Sequence, residues 1–529
     1  MVHFKGDELK KEVLTAREAM DKYVDDGNVI ATGGFVGANH PEALIKALQE
    51  RYLETQSPKD LTLVYAAGQG DGDVLGLNHL GEEGLIGKVI GGHWNMAPRM
   101  QKLAMDNKIA AYNLPQGVIS KLFRATAEGS PGLITTVGLN TFVDPRLEGG
   151  KLNDKAREGE DAVELINLKG KDMLYYPARK IDVALIRATY CDTEGNATLE
   201  KEACFSDVLV IAQAAKNTGG KVILQVEKVV EYGSLDSRKV KLPGIYVDAV
   251  VVAKPEEHKQ TWGSQYNPAY SGETRVPVDS LDFLKLNPRK IIARRAAMEL
   301  VPNAISNLGI GMPEGVSLVC AEEGVEGLIL TTEAGTIGGV PAGGTDFGAT
   351  TNPDCILDQP AQFDFYDGGG LDITILGLAQ MDKKGNINVS KFGPKIAGCG
   401  GFINISQNTN KVLYIGTFTA GGFKAHVEDG KLIIDQEGKV AKLVDEVEQV
   451  TFSGDYANST GQDITYITER AVFKLTKDGV ELTEIAPGID LEKDILAHME
   501  FKPIIKDVKE MDRSIFVDEL MGLKDKIRG

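Results

Sequence analysis

A chain of 529 residues is too long for one hydrophobic core and calls for two or more domains. Hydrophobic residues at 42% and charged residues at 25% are ordinary for a soluble globular enzyme, and a net charge of −18 sets the molecule as a whole against nucleic acid and anionic membrane. An anionic ligand would therefore be held locally, by backbone N–H groups or a few cationic side chains.

Residues 1–8 contain no apolar signal core, and no later segment approaches a membrane span in length. Strand patterns fall at 29–32 and 61–66, the second ending at Ala66, with a helix over 41–48 between them that sets Leu44, Ala47 and Leu48 on one face. Tyr112-Asn-Leu-Pro-Gln-Gly117 reads as a short strand and a turn that projects the Gln116 side chain. The charged stretch from Gly149 to Tyr176 is helix-prone. Asp182 to Ala197 is a strand running into an Asp-x-x-Gly-Asn reversal, and a helix and strand follow over 211–224. Pro255, Gly263, Pro268, Gly272, Pro277 and Pro288 then mark irregular linker.

Beyond the linker the same order recurs. A strand at 304–308 precedes a helix at 313–323 with Val316, Val319 and Cys320 on one face, and Gly327-Leu-Ile-Leu-Thr-Thr332 is a strand that delivers Glu333. Asp372 to Ile387 aligns without gaps on Asp182 to Ala197; Ile405 to Tyr414 resembles Ile211 to Leu224; Ala293 to Met298 matches Ala16 to Met20. Three matched pairs in one order predict two similar α/β domains in tandem, 1–254 and 290–529, joined by 255–289. The interval from Ala16 to Asp182 exceeds that from Ala293 to Asp372 by 87 residues, so the first half carries an insertion, of which 149–176 is part. Aligning strand ends sets Ala66 opposite Glu333. A carboxylate present in one half only is marked for function, because a structural need would recur in both.

Open α/β sheets bind ligands at the carboxyl ends of their strands, where Glu333 stands among glycines. Gly309, Gly311, Gly335, Gly338, Gly339, Gly400 and Gly401 can each serve a tight turn or expose backbone N–H groups to an anion. Gly309-Ile-Gly-Met-Pro-Glu-Gly315 nearly matches the dinucleotide fingerprint, and Glu333 follows Gly309 by 24 residues, but the spacing is GxGxxxG with a proline inside it. No GxxxxGK[ST] loop occurs. The five cysteines, Cys191, Cys204, Cys320, Cys355 and Cys399, form no metal or CxxC pattern, which marks a reduced, cytoplasmic protein. The histidines include no HExxH, and the one nearest Cys399 in sequence is His426, so Cys399 reads as a packed residue and no metal is expected.

Thr332-Glu-Ala-Gly-Thr-Ile-Gly-Gly339, Gln362-Phe-Asp-Phe-Tyr-Asp-Gly-Gly-Gly-Leu-Asp372, Asn388-Val-Ser-Lys-Phe-Gly393, Gly398-Cys-Gly-Gly-Phe402, Tyr112 to Gly117, Tyr466 to Arg470 and Glu484 to Asp490 together resemble the family I CoA-transferases of the single-chain propionate/acetate type, over essentially the whole chain. The resemblance implies two CoA-transferase-type α/β domains, Glu333 as nucleophile, Gln116 as an oxyanion donor and the Gly400-Gly401 backbone opposite it. It implies acyl-CoA and small carboxylic acids as substrates and a homodimer or homotetramer. Coenzyme A is then a substrate held by Gly309, Gly311, Gly335, Gly338 and Gly339, with no cofactor bound permanently. Where related enzymes carry Ser-Glu-Asn-Gly, this chain has Thr332-Glu333-Ala334-Gly335, so no polar side chain stands at 334. A carboxylate suits the reaction because its attack on an acyl-CoA gives a mixed anhydride, energetic enough for CoA thiolate to attack in turn, and a solvated glutamate with a pKa near ~4.3 needs no dedicated base. An acyl-CoA hydrolase and, further off, an NAD(P)-binding oxidoreductase are the alternative readings.

Overall fold

The computed structural model describes residues 10–277 and 283–527. An eight-stranded parallel sheet is built entirely from the first half, in the order Glu12–Leu14, Ala249–Val252, Lys221–Val226, Val183–Arg187, Val29–Thr32, Leu61–Tyr65, Ile86–Gly91 and Ala110–Asn113. Val183–Arg187 is buried at every position, as a strand covered on both faces must be, and this explains the apolar run Val183 to Ile186, while Arg187 is paired with the buried Glu202. The second half builds a ten-stranded sheet. Its parallel centre runs Ile329–Thr331, Ile305–Leu308, Ile373–Gly377, Lys411–Ile415 and Asp463–Ile467.

These five strands repeat the order of Leu61–Tyr65, Val29–Thr32, Val183–Arg187, Lys221–Val226 and Ala249–Val252. The repetition extends to single hydrogen bonds. Asp182 Oδ2 accepts from Val29 N at 2.9 Å, and Asp372 Oδ2 from Ile305 N at 2.8 Å. In the first Asp-x-x-Gly-Asn turn, Asp192 Oδ1 accepts from the backbone N–H groups of Glu194 and Asn196, and in the second, Asp382 Oδ1 accepts from Lys384 and Asn386. The asparagine of each turn then receives a distant backbone N–H, Gly244 onto Asn196 Oδ1 and Gly454 onto Asn386 Oδ1. Register confirms the alignment of strand ends. Val183 pairs Ile30, which pairs Leu63; Ile373 pairs Ser306, which pairs Leu330. Three residues beyond Leu63 and Leu330 stand Ala66 and Glu333.

The halves part company at both edges: beyond Ala249–Val252 the first adds only Glu12–Leu14, and beyond Asp463–Ile467 the second adds Ala471–Thr476, Gly479–Ile485 and Ile504–Glu510. After Leu61–Tyr65 the first sheet adds two more parallel strands, whereas after Ile329–Thr331 the second turns back into the antiparallel pair Thr336–Ile337 and Cys355–Ile356. The stretch 149–176, expected to favour helix, holds one short helix, Asp154–Arg157, and otherwise feeds strands. Glu164–Leu168 and Lys171–Pro177 form an antiparallel sheet with Gly132–Thr135. A hairpin edge satisfies the backbone of these charged residues while their side chains stay in solvent, and that outweighs their helix propensity. The stretch 255–277 contains one turn of 3-10 helix and is anchored at a few points, with Gln260 and Thr261 buried and Tyr270 in a small core with Phe35, Ala334 and Phe347, while 272–277 are exposed. Among the described residues no helix is long and apolar enough to cross a membrane.

Candidate active site

Glu333 occupies the reversal between Ile329–Thr331 and Thr336–Ile337. Thr332 N–H donates to Thr336 O at 3.0 Å and Gly335 N–H to Thr332 O at 3.1 Å, so the chain turns back at once. The hydroxyls of Thr332, Thr336 and Thr350 form a buried chain at 2.7 and 2.6 Å that braces the turn. Gly335 has φ +106°, and a Cβ there would lie 2.1 Å from Leu357 O, so no other residue fits.

The turn presents Glu333 to a cavity of about 240 Å³ between the two halves. Gln116, Gly309, Gly400 and Gly401 line the same cavity. Gln116 is not on a turn, as its sequence setting implied, but is the first residue of the helix Gln116–Glu128, and it is buried. Its backbone N–H donates to Gly400 O at 2.9 Å, tying the two halves together beside Glu333. The glycine pair divides in role. Gly400 N–H donates to Gly92 O at 2.7 Å, so its donor is spent. Gly401 N–H has no acceptor among the described residues, and a Cβ at Gly401 would lie 3.0 Å from Glu333 Cγ. Only Gly401 can therefore offer a backbone donor at this point.

Gly311, Gly335, Gly338 and Gly339 do not line the cavity. At Gly338 and Gly339 a Cβ would lie 2.1 Å from Asp354 Oδ2 and 2.3 Å from Thr351 O, so the reversing edge itself demands glycine. Gly311, at φ +82°, faces open space. His93, which the sequence reading passed over, lines the cavity and packs against Gly398 and Gly400. Its signal was present: it stands two residues past the end of Ile86–Gly91, at the sheet edge where ligands bind. The remaining wall is apolar, with Phe35, Met96, Phe347 and Leu376 prominent.

No lysine or arginine lines the cavity among the described residues, and Glu333 is its only acid. Glu333 keeps part of its surface open, but protein crowds the carboxylate, and loss of solvent pushes its pKa up to about 7. This corrects the expectation of a solvated, permanently ionised glutamate. Burial, with Lys395 nearby, pushes His93 down to about 4, which leaves it neutral. Burial also pushes the Cys399 thiol far up, and its N–H is held by Asn113 Oδ1 at 2.9 Å, so it stays protonated and packed. Among the described residues no group of three or more His, Cys, Asp or Glu is placed to hold a metal. Clefts of about 340 and 570 Å³, lined by Arg187, Glu202 and His258 and by Lys201, Lys239 and Lys241, lie in the first half away from Glu333.

The coenzyme A transferase family matches residues 13–253. The chain is 46% identical over 512 residues to acetate CoA-transferase YdiF of Escherichia coli, covering 96% of each chain. It is 47% identical over 524 residues to caffeate CoA-transferase of Acetobacterium woodii, covering 98% of this chain and 99% of that one. It matches the crystal structure of the Escherichia coli acyl-CoA transferase YdiF apoenzyme with a TM-score of 0.93 at 44% identity, over 98% of this chain and 99% of that one. A thioester complex of that protein with CoA matches with a TM-score of 0.92 at the same identity and coverage.

Proposed function

The chain belongs to the coenzyme A transferase family, and on that premise we propose that it moves CoA between short-chain acyl-CoA, such as acetyl-CoA or propionyl-CoA, and short-chain monocarboxylic acids through a glutamyl-CoA thioester at Glu333. The reading rests on one observation above others: a lone carboxylate in a largely apolar cavity that, among the described residues, no lysine or arginine lines, and which Gln116 and Gly401 line with it.

In the first step a Glu333 oxygen attacks the acyl carbon, and the C–S bond breaks to give a mixed anhydride and CoA thiolate. The thiolate then attacks the glutamyl carbonyl, forming the Glu333–CoA thioester and releasing the first acid as carboxylate. The acceptor acid attacks that thioester, a second mixed anhydride forms, and thiolate attack on its acyl carbon returns Glu333 and yields the new acyl-CoA. Each tetrahedral intermediate carries an oxyanion. Gln116 Nε2, which has one N–H engaged by Gln359 Oε1 at 3.1 Å and a second N–H to give, and the free Gly401 N–H are the donors proposed for it. Neutral His93 keeps positive charge away from Glu333, so the nucleophile is not paired off. We further propose that 1–254 and 290–529 act as domains joined by 255–289, since each main sheet draws its strands from one half.

Intact-protein mass spectrometry tests the assignment. Enzyme mixed with acyl-CoA in the absence of acceptor should gain the mass of CoA less one water, on the peptide containing Glu333. An adduct on Cys399, or none, would reject it. Addition of acetate separates transfer from hydrolysis: a transferase forms acetyl-CoA, whereas a hydrolase releases free CoA whether or not acetate is present.

A further inference from the structure

Beneath Gln116 lies a buried chain of polar groups that the proposed chemistry does not use. Gln116 Nε2 donates to Gln359 Oε1 at 3.1 Å, Gln359 Nε2 donates to Asp207 Oδ2 at 2.7 Å, and Ser120 Oγ donates to Asp207 Oδ1. Gln359 and Ser120 are fully buried, Asp207 is 2% exposed, and Gln116 is 3% exposed. Asp207 and Ser120 come from the first half and Gln359 from the second, so the chain crosses between them beside the reacting carboxylate. Asp207 precedes the helix Val208–Asn217 without capping it, and Ser206, held at φ 47°, carries the carbonyl that receives Gln359 N–H at 3.0 Å.

A buried carboxyl group bonded to a hydroxyl and a carboxamide rather than to a cation is costly, and burial pushes Asp207 up to about 7. Such a group is retained where its polarity matters. In its ionised form the Asp207 carboxylate only accepts, so it turns the nitrogen of Gln359 toward itself and the oxygen of Gln359 toward Gln116. That oxygen in turn only accepts, so Gln116 must turn its amide nitrogen toward Gln359. Each carboxamide would otherwise have two orientations of similar shape, and only one of them leaves the Gln116 N–H groups where they are found.

We propose that Asp207 is a positioning residue for the transfer reaction, which acts through Gln359 to set the orientation of the Gln116 carboxamide. This rests on the donor role proposed for Gln116. Asp207→Asn preserves shape but supplies an N–H, which permits the inverted arrangement of both glutamines. The variant should lower kcat by about ten- to a hundredfold, the scale of a misplaced catalytic group, while KM for acyl-CoA changes less than about twofold.

The test is a double-mutant cycle of Asp207→Asn with Gln116→Ala, with thermal midpoints recorded to show that each protein is folded. If Asp207 works through Gln116, the double variant will be no slower than Gln116→Ala alone. If the two losses multiply, Asp207 serves only to hold the halves together and the proposal falls, while the donor role of Gln116 stands. If Gln116→Ala has the wild-type rate, the donor role and the proposal both fall. Gln359→Met, which keeps volume but breaks the relay, runs the same cycle should Asp207→Asn not fold.

Discussion

The proposed nucleophile, Glu333, stands in an environment that resists its charge. Its pKa of about 7 lies above the ordinary 4.5, so the folded protein binds its proton more tightly than the unfolded chain does. Two consequences follow with definite sign. The reactive carboxylate is depleted as pH falls, so kcat/KM for acyl-CoA should drop about tenfold per unit below about pH 7; a profile flat down to pH 5 would remove Glu333 from the role. Ionisation also opposes folding as pH rises from about 4.5 through 7. Glu333→Gln should therefore stabilise the fold at pH 8, by on the order of 2 kcal/mol, and give no gain at pH 4, which thermal unfolding at the two pH values would show. The same substitution should abolish transfer, and Glu333→Asp should cost on the order of 10²-fold because the nucleophile recedes by about 1 Å. Gln116→Ala should lower kcat by about 10²–10³, the range for loss of one oxyanion donor, and a rate near wild type would return Gln116 to a packing role.

At the scale of elements, the site depends on a departure at one edge of the five-strand centre that the two halves share. The strand equivalent to Ile329–Thr331 in the first half, Leu61–Tyr65, is followed by a further parallel strand, whereas Ile329–Thr331 reverses through Thr332–Gly335 and holds Glu333 at the turn. Gly335→Ala meets both a positive φ and the carbonyl of Leu357 at 2.1 Å, so it should destabilise the protein by a few kcal/mol and lower soluble yield. Gly401→Ala meets only side chains, Glu333 Cγ at 3.0 Å and Phe363 at 3.2 Å, at an ordinary φ. It should leave the thermal midpoint within a few degrees and lower kcat, because the carbon it must displace belongs to the nucleophile. Equal loss of stability in the two variants would contradict this division. The central strand of each half was legible because buried parallel strands are rich in apolar and β-branched residues, as in Val183 to Ile186 and Ile373 to Leu376. The fate of 149–176 was not, since its charged residues suit an exposed hairpin and an exposed helix alike and only neighbouring Gly132–Thr135 decides between them.

For the whole molecule, one carboxylate serving both half-reactions predicts a ping-pong pattern, with parallel double-reciprocal lines; intersecting lines would reject the covalent scheme. On the proposed reading donor acyl group and acceptor acid share the one largely apolar cavity, so acids that differ by one methylene should differ by about 10- to 200-fold at most. Succinate should be a poor acceptor, because its second carboxylate would meet no lysine or arginine among the cavity's described lining. A panel of acids assayed against acetyl-CoA and propionyl-CoA measures both, and succinate as the preferred acid would overturn the substrate class.

The duplication, the matching of Ala66 to Glu333 and the marking of Glu333 for function follow from residue order, because strand periodicity and Asp-x-x-Gly-Asn reversals are local properties that repeat visibly along the chain; its role as nucleophile is what the family resemblance implies. What joins the site is not local. His93 and Gln116 line one cavity with Glu333 although hundreds of residues separate them in sequence, Gly400 loses its N–H to Gly92, and Asp207 reaches Gln116 only by way of Gln359. Burial of Glu333, and with it a pKa near 7 in place of a solvated one, likewise arises from packing of one half against the other. Spacing along a chain carries no information on such contacts, since donors, acceptors and solvent exclusion are set by which surfaces meet in three dimensions.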